Sequence, residues 1–312
     1  MTEFTVTLNV MLPMLLLLSL GWFLRKAGLF PDKTVKDMNT LVFKLFLPVL
    51  LFKNMREITS GILTGVSYPL FLFVSVFGLF ILAFLLVPRF VHDPSKQGVM
   101  VQGIFRSNFA ILGVPLMESM FGASGTLVYS VALPVVIPLN NVLAVIALSA
   151  PTGRKTDKVK IIRDILLNPL IIACVLGLIC CITGLHFPTV IEDTLSRLSS
   201  ITSPLSLLVL GASLKWQGVR SNRKELTWTV LLKQLIIPVV MVSIAVLLGF
   251  RNEELGVMIV LFAAPCAVSS FPMAVAMNGD GDLAAGQIVL TTVFSMLTFF
   301  ILIFTMKSMH LL

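Results

Sequence analysis

An apolar segment of this 312-residue chain runs from Arg106 to Gly122 and reads RSNFAILGVPLMESMFG. It places an arginine, an asparagine, a glycine and a proline within ten residues, and these residue types do not suit an uninterrupted helix in lipid. A second stretch of this kind, from Ala264 to Asp280, reads APCAVSSFPMAVAMNGD. We interpret the two stretches as broken helices that meet at a binding site inside a membrane.

The composition indicates an all-α membrane protein. Hydrophobic residues make up 57% of the chain and charged residues 12%, with a mean hydropathy of +1.01. Apolar runs of about 20 residues, enough to cross a bilayer, recur along the whole length. We expect ten transmembrane helices at about 4–24, 34–55, 67–88, 97–120, 124–149, 161–184, 192–215, 225–249, 254–277 and 282–306.

The distribution of lysine and arginine predicts the orientation of these spans. Loops on one side carry fifteen of these residues and loops on the other side carry four. Because cytoplasmic loops are enriched in lysine and arginine, we expect both termini outside and the central loop in the cytoplasm. The protein is then a multi-pass protein of the inner or plasma membrane.

The chain repeats itself at half its length. Pro115 and Gly122 recur 157 positions later as Pro272 and Gly279. Each half holds five spans, and because five is odd the second half enters the membrane from the opposite side. Inverted repeats are characteristic of secondary transporters. We predict inverted five-helix repeats with crossed, proline-broken helices 4 and 9, divided as residues 1–149, a short cytoplasmic loop 150–160, and residues 161–312.

The matched breaks are expected to run from Asn108 to Pro115 and from Pro265 to Pro272. Broken helices expose backbone groups at membrane depth, which is tolerated only where protein or a watery cavity satisfies them. The two breaks should therefore face each other. The half-helices that begin after Pro115 and Pro272 would present unpaired N–H groups and partial positive charge, a suitable seat for a carboxylate.

Arg106 and Asn108 are the first candidates for contact with such a ligand. An arginine in mid-span costs roughly 2.5 to 3.5 kcal/mol on insertion scales, so it should not face lipid. Arg106 either holds an anionic substrate or caps the carbonyls at the end of its own half-helix. Asn108 either binds the substrate or ties the two crossings together.

Other polar residues within the spans carry weaker signals. Asn141 and Thr291 lie in the spans after the breaks and either face the substrate or form hydrogen bonds between helices. Lys233 either steadies the crossing or exchanges protons, with a structural ion pair or snorkelling as the alternatives. The candidate substrate-binding set is Arg106, Asn108, Gly113, Pro115, Asn141, Pro265, Cys266, Pro272 and Thr291.

Several classes of function are disfavoured by the sequence. All 15 acidic residues fall at or near span ends, which argues against a cation antiporter with a buried carboxylate and favours an anionic solute. The chain has no phosphate loop, nucleophile elbow or metal-ligand cluster, so we expect neither an enzyme nor a bound cofactor or metal. The net charge of +8 is spread through loops, so no nucleic-acid partner is expected.

A family resemblance accompanies these observations. The segment Asn108–Leu116, NFAILGVPL, resembles the N-x-G-x-x-G-x-P-L motif of the auxin efflux carrier family, with Ala110 where glycine is usual. Pro204–Leu214 and Lys233–Pro238 are similar to that family's second half, as are Pro265, Asp280 and Leu283–Ala285.

The resemblance implies a fold related to the bile acid symporters and the sodium/proton antiporters. Helices 1, 2, 6 and 7 would form a scaffold, and helices 3–5 and 8–10 a moving transport domain. The family's substrate-contacting asparagine falls on Asn108 and its crossover prolines on Pro115 and Pro272. Family members carry organic anions, namely auxin in plants and malate or malonate in bacterial relatives. The short central loop favours a bacterial, permease-like member.

We therefore expect a secondary transporter of a small organic anion, a mono- or dicarboxylate, that works by alternating access in the bilayer. A sodium-coupled organic anion symporter of the bile acid type and a ligand-binding membrane sensor stay open as alternatives. The scaffold helices could also support a homodimer.

Overall fold

The computed structural model describes residues 3–56, 66–149, 163, 166–185 and 187–312. Within these residues the regular secondary structure is helical, apart from one isolated β-bridge. The predicted all-α class is therefore confirmed. The predicted central loop, residues 150–160, lies outside the described residues.

The described residues of the first half contain six α-helices. A π-helical turn, Val42–Phe46, joins the second to the third without interruption. The sixth helix bends at Gly122, whose φ of 66° and ψ of −144° are not helical. The helices are α1 (Glu3–Lys26), α2 (Asp32–Leu41), α3 (Leu47–Arg56), α4 (Ser67–Phe90), α5 (Pro94–Phe105) and α6 (Phe109–Ser149).

The described residues of the second half contain eight more helices. A π-helical turn, Leu232–Ile236, again joins two of them, so that Arg223–Leu247 is one continuous helix. The helices are α7 (Pro169–Thr183), α8 (Thr189–Ser213), α9 (Trp216–Ser221), α10 (Arg223–Leu231), α11 (Ile237–Leu247), α12 (Asn252–Ala263), α13 (Ser270–Ala276) and α14 (Gly281–Ser308).

Several described helices suit a membrane interior. Five are long and apolar enough to cross a bilayer, namely Ser67–Phe90, Phe109–Ser149, Thr189–Ser213, Arg223–Leu247 and Gly281–Ser308. The apolar helix α7 is shorter. Large hydrophobic side chains such as Leu82, Ile182 and Leu247 are more than half exposed, as expected where lipid replaces water as the solvent. The chain is therefore a multi-pass membrane protein.

Capping side chains set the starts of three helices. Asp93 Oδ1 accepts hydrogen bonds from the backbone N–H and the hydroxyl of Ser95, at 2.9 and 2.8 Å, and starts α5. These hydrogen bonds lower the pKa of the Asp93 carboxyl, because they favour its charged form. Asn168 starts α7 in the same way, and Asp280 starts α14.

Glycines let α1 pack closely against α8. A Cβ atom on Gly211 would lie 2.0 Å from the carbonyl oxygen of Leu18, and one on Gly21 would lie 2.1 Å from that of Leu208. Only glycine permits this approach, because backbone atoms cannot move aside as a flexible side chain can. In the same region α3 packs against α7 and α8, while α6 packs against α12.

Candidate functional site

The two broken stretches meet in the interior of the molecule. The backbone N–H of Asn108 donates to the carbonyl oxygen of Pro265 at 2.8 Å, and Ser107 forms an antiparallel β-bridge with Cys266. Each break thus satisfies part of the other's exposed backbone, which is what burial at membrane depth requires. The expectation that the two breaks face each other is confirmed.

The breaks themselves are placed differently from the expectation. Helix α6 resumes at Phe109 and continues through Pro115, and α13 begins at Ser270, with Pro272 in its first turn. The expected half-helix starts after Pro115 and Pro272 were therefore wrong. A helix can continue through a proline such as Pro115 at the cost of one backbone hydrogen bond and a clash with the preceding turn, and a proline in the first turn, such as Pro272, removes no N–H that would be paired.

We call the point where Ser107 and Asn108 pair with Pro265 and Cys266 the crossing. Neighbouring side chains hold its backbone in place. The N–H of Cys266 donates to Thr291 Oγ1 at 3.0 Å, and the Thr291 hydroxyl donates to the carbonyl of Gln287 at 2.7 Å. The Cys266 thiol donates to the carbonyl of Gly103 at 3.1 Å. Cys266 and Thr291 are buried and do not line the cavity described below. Their hydrogen bonds stabilise the backbone of the crossing.

Arg106 lies at the end of α5 with only 3% of its surface exposed. Its guanidinium donates to Asn141 Oδ1 at 2.7 Å and to Met273 Sδ at 2.9 Å. Neither partner is a backbone carbonyl of α5. The structure therefore contradicts the alternative in which Arg106 caps the end of its own half-helix. Among the described residues no carboxylate pairs with Arg106.

A cavity of about 170 Å³ lies between the crossing and the helices α3 and α8. Arg106 is the one charged residue among its described lining residues. The rest of the polar lining consists of neutral amides and hydroxyls. The lining polar residues are Asn54, Arg106, Ser107, Asn108, Asn140, Asn141, Thr202, Ser203, Ser206 and Ser269.

The N-terminus of α6 also borders the cavity. Its first residues, Phe109, Ala110 and Ile111, all line the cavity, and the first turn of a helix carries N–H groups without partners inside the helix. The positive end of the helix dipole therefore lies beside the guanidinium of Arg106. Both features favour a negatively charged occupant.

The remaining predicted candidates lie away from the cavity or contribute only backbone atoms. Gly113 packs against Tyr129, whose ring would lie 2.0 Å from an added Cβ. Pro115 is exposed and Pro272 is buried, and neither lines the cavity. Pro265 contributes its carbonyl oxygen to the crossing.

Lys233 lies in the π-helical turn between α10 and α11 and is 1% exposed. It does not line the cavity. It forms no ion pair with the described residues, which removes the ion-pair alternative within them, and its burial contradicts snorkelling to the surface. Helix α5 and helix α12 both pack against this turn, so Lys233 lies beside the two half-helices that end at the crossing.

Sequence reasoning did not single out the far side of the cavity. Asn54 on α3 and Thr202, Ser203 and Ser206 on α8 complete its lining. The available signal was the run of hydroxyl residues around Pro204, which lies inside α8. Asn140, the neighbour of the predicted Asn141, also lines the cavity.

The sequence as a whole matches a known family. The family model described as "Membrane transport protein" matches residues 6–303. The chain belongs to this family. The resemblance to the auxin efflux carriers is thereby confirmed, and a membrane transport protein, not an enzyme, is the coarse functional class.

Relatives of this membrane transport protein are also described as transporters. An uncharacterized transporter of Methanocaldococcus jannaschii is 25% identical over 304 residues, covering 94% of this chain and 96% of the relative. An uncharacterized transporter of Methanothermobacter thermautotrophicus is 26% identical, covering 93% and 95%. A candidate malonate transporter of Rhizobium meliloti is 23% identical, covering 96% of both chains.

Proposed function

We propose that this membrane transport protein is a secondary active transporter of a small organic anion, a carboxylate, and that it works by elevator-type alternating access. The observation that carries the proposal is Arg106, a buried arginine that lines the cavity without a carboxylate partner among the described residues. A buried charge that lacks a partner is costly. An anionic substrate in the cavity supplies that partner.

The neighbours of Arg106 suit the carboxylate group. A guanidinium presents N–H donors in a planar fork that matches a carboxylate. The bond from Arg106 to Asn141 Oδ1 fixes the orientation of the fork, and Asn108 and the first turn of α6 line the same cavity. In this proposal Arg106 binds the substrate, Asn108 contacts it, and Asn141 positions Arg106.

The architecture we propose is two inverted five-helix repeats. The scaffold comprises α1, α2, α3, α7 and α8, and the transport domain comprises α4–α6 and α10–α14. The cavity is lined by residues from both groups, so movement of the transport domain against the scaffold would carry Arg106, Asn108 and Asn141 with their bound substrate across the bilayer. Both termini then lie outside, as the distribution of lysine and arginine favours.

Support for a carboxylate also comes from the candidate malonate transporter of Rhizobium meliloti. Malonate is therefore the first ligand to test. The volume of about 170 Å³ equals the share of roughly six water molecules at about 30 Å³ each, which suits an acid of a few carbon atoms.

A thermal-shift experiment on the purified protein tests the proposal. A ligand that binds only the native state raises the melting temperature, so we expect small carboxylates to raise it for the wild type and not for Arg106→Ala. Arg106→Lys keeps the charge without the planar fork and should show a reduced shift. A response to amines and none to carboxylates would overturn the proposal. Repeating the titration without sodium separates a sodium-coupled symporter from a carrier that does not use sodium.

A further inference from the structure

One residue of the cavity lining, Asn140, carries a hydrogen-bond acceptor that a carboxylate cannot satisfy. Asn140 is 5% exposed and lines the cavity. Its side-chain oxygen Oδ1 is buried and has no hydrogen-bond partner. An amide oxygen only accepts hydrogen bonds, so it needs a donor, and an ionised carboxylate carries none.

No described side chain, Arg106 included, donates to this oxygen. Arg106 donates to Oδ1 of Asn141 and to Met273. Ser107 also lines the cavity, and its hydroxyl oxygen is likewise buried without a partner. Two orphaned polar atoms in one cavity are unusual, because buried polar groups in native proteins are nearly always paired. An occupant of the cavity is the natural partner for both.

The charge of the cavity limits the charge of that occupant. Arg106 is the one charged residue among the described lining residues, and the facing side, Asn54 with Thr202, Ser203 and Ser206, is neutral. A single ionised carboxylate balances Arg106. A second one would be buried against neutral groups, which is strongly unfavourable.

We infer that the site selects a small monoanion that carries one carboxylate and, a few bonds away, a neutral O–H or N–H donor. The carboxylate binds Arg106, and the donor binds Asn140 Oδ1. Short hydroxy acids have this chemistry, and so does a dicarboxylic acid with one carboxyl group protonated. This inference rests on the proposed function, since it concerns the same cavity.

A series of ligands that differ at one position tests the inference in the intact, detergent-solubilised protein. The series is propionate, which has no donor; 3-hydroxypropionate, which adds an O–H; malonamate, which adds an amide N–H; and monomethyl malonate, which adds only acceptors. Malonate at a pH where both carboxyl groups are ionised adds a second charge. Binding is measured by titration calorimetry or by thermal shift.

We expect 3-hydroxypropionate and malonamate to bind about tenfold more tightly than propionate and monomethyl malonate, as one satisfied buried acceptor warrants. Doubly ionised malonate should bind more weakly than malonamate. Asn140→Ala should abolish this preference while propionate still binds. If Asn140→Ala does not fold, the ligand series on the wild-type protein carries the test.

The outcomes separate the two proposals. If all the monoanions bind equally, or if the doubly ionised acid binds best, this inference is overturned while the carboxylate transporter stands. If no member of the series binds, the proposed function itself fails. A preference that survives in Asn140→Ala would assign the donor's partner to another residue and contradict the role of Asn140.

Discussion

At the scale of single residues, the site depends on how Arg106 is held. A guanidinium carries five N–H donors, and among the described residues Arg106 uses them on Asn141 and Met273. The bond to Asn141 joins α5 to α6 and limits the orientations that the side chain can adopt. Arginine therefore fulfils two conditions that lysine does not, namely a fixed plane and donors left over for a ligand.

Gly113 packs tightly against Tyr129. We therefore expect its substitution to change the stability of the protein and not to remove a contact with the substrate. A Cβ atom there would lie 2.0 Å from the ring of Tyr129, whose hydroxyl donates to the carbonyl of Phe109 at 2.8 Å in the first turn of α6. Gly113→Ala should destabilise the protein by about 1–3 kcal/mol through overpacking, measured as a lower melting temperature.

Gly78 in α4 is the matched control for this substitution. Apart from the neighbouring backbone of α4 itself, no atom lies within 4 Å of an added Cβ at this position, so Gly78→Ala should leave the melting temperature unchanged or raise it slightly. An equal effect of the two substitutions would show that the contact with Tyr129 does not matter.

The sequence identified Arg106, Asn108 and Asn141 because polar side chains stand out within apolar runs. It did not identify Thr202, Ser203 and Ser206, because hydroxyl residues are tolerated in membrane helices, where they bond to their own backbone. Ser206, for example, donates to the carbonyl of Thr202 at 2.6 Å. Which face of α8 borders the cavity follows only from how that helix packs.

At the scale of elements, the crossing depends on the contact between Cys266 and α14. Replacing Thr291 by valine keeps the shape of the side chain but removes the acceptor at 3.0 Å from the N–H of Cys266. An orphaned buried N–H costs about 1–3 kcal/mol, so Thr291→Val should lower the free energy of unfolding by that amount.

Thr291→Ser retains the hydroxyl and serves as the control. It should keep most of the stability and should lose less than the valine variant in the same denaturant titration. If the valine variant is as stable as the wild type, or no less stable than the serine variant, the hydrogen bond from the N–H of Cys266 does not stabilise the crossing.

The positions of the two breaks could be predicted from the sequence only approximately. Proline and glycine located the two breaks to within a few residues, and the repeat offset paired them. The ends of the breaks were misplaced because a proline can continue inside a helix, as Pro115 does in α6. What ends α5 at Phe105 is the pairing of the following residues with the other break, which only the folded chain provides.

At the scale of the whole molecule, the elevator mechanism predicts that the scaffold and the transport domain slide past each other. Asn168 at the start of α7 and Met277 at the end of α13 belong to the two different groups, and their side chains meet at 3.9 Å. A short, reducible thiol cross-linker applied to a variant with Asn168→Cys and Met277→Cys should link the groups and stop transport, and reduction should restore it.

The two variants that carry only one of the added cysteines, treated in the same way, control for effects on the four native cysteines. They should continue to transport. Full transport by the cross-linked protein would mean that the two groups do not move against each other at this point, and the elevator mechanism would have to be abandoned.

The most direct test of carboxylate transport is uptake of a radiolabelled small carboxylate by liposomes that contain the purified protein. We predict saturable uptake by the wild type that is lost in Arg106→Ala, with the variant purifying as a folded protein. The Gly78→Ala variant, altered away from the cavity, should transport like the wild type. Unchanged carboxylate uptake by a folded Arg106→Ala protein would contradict the central role of this arginine.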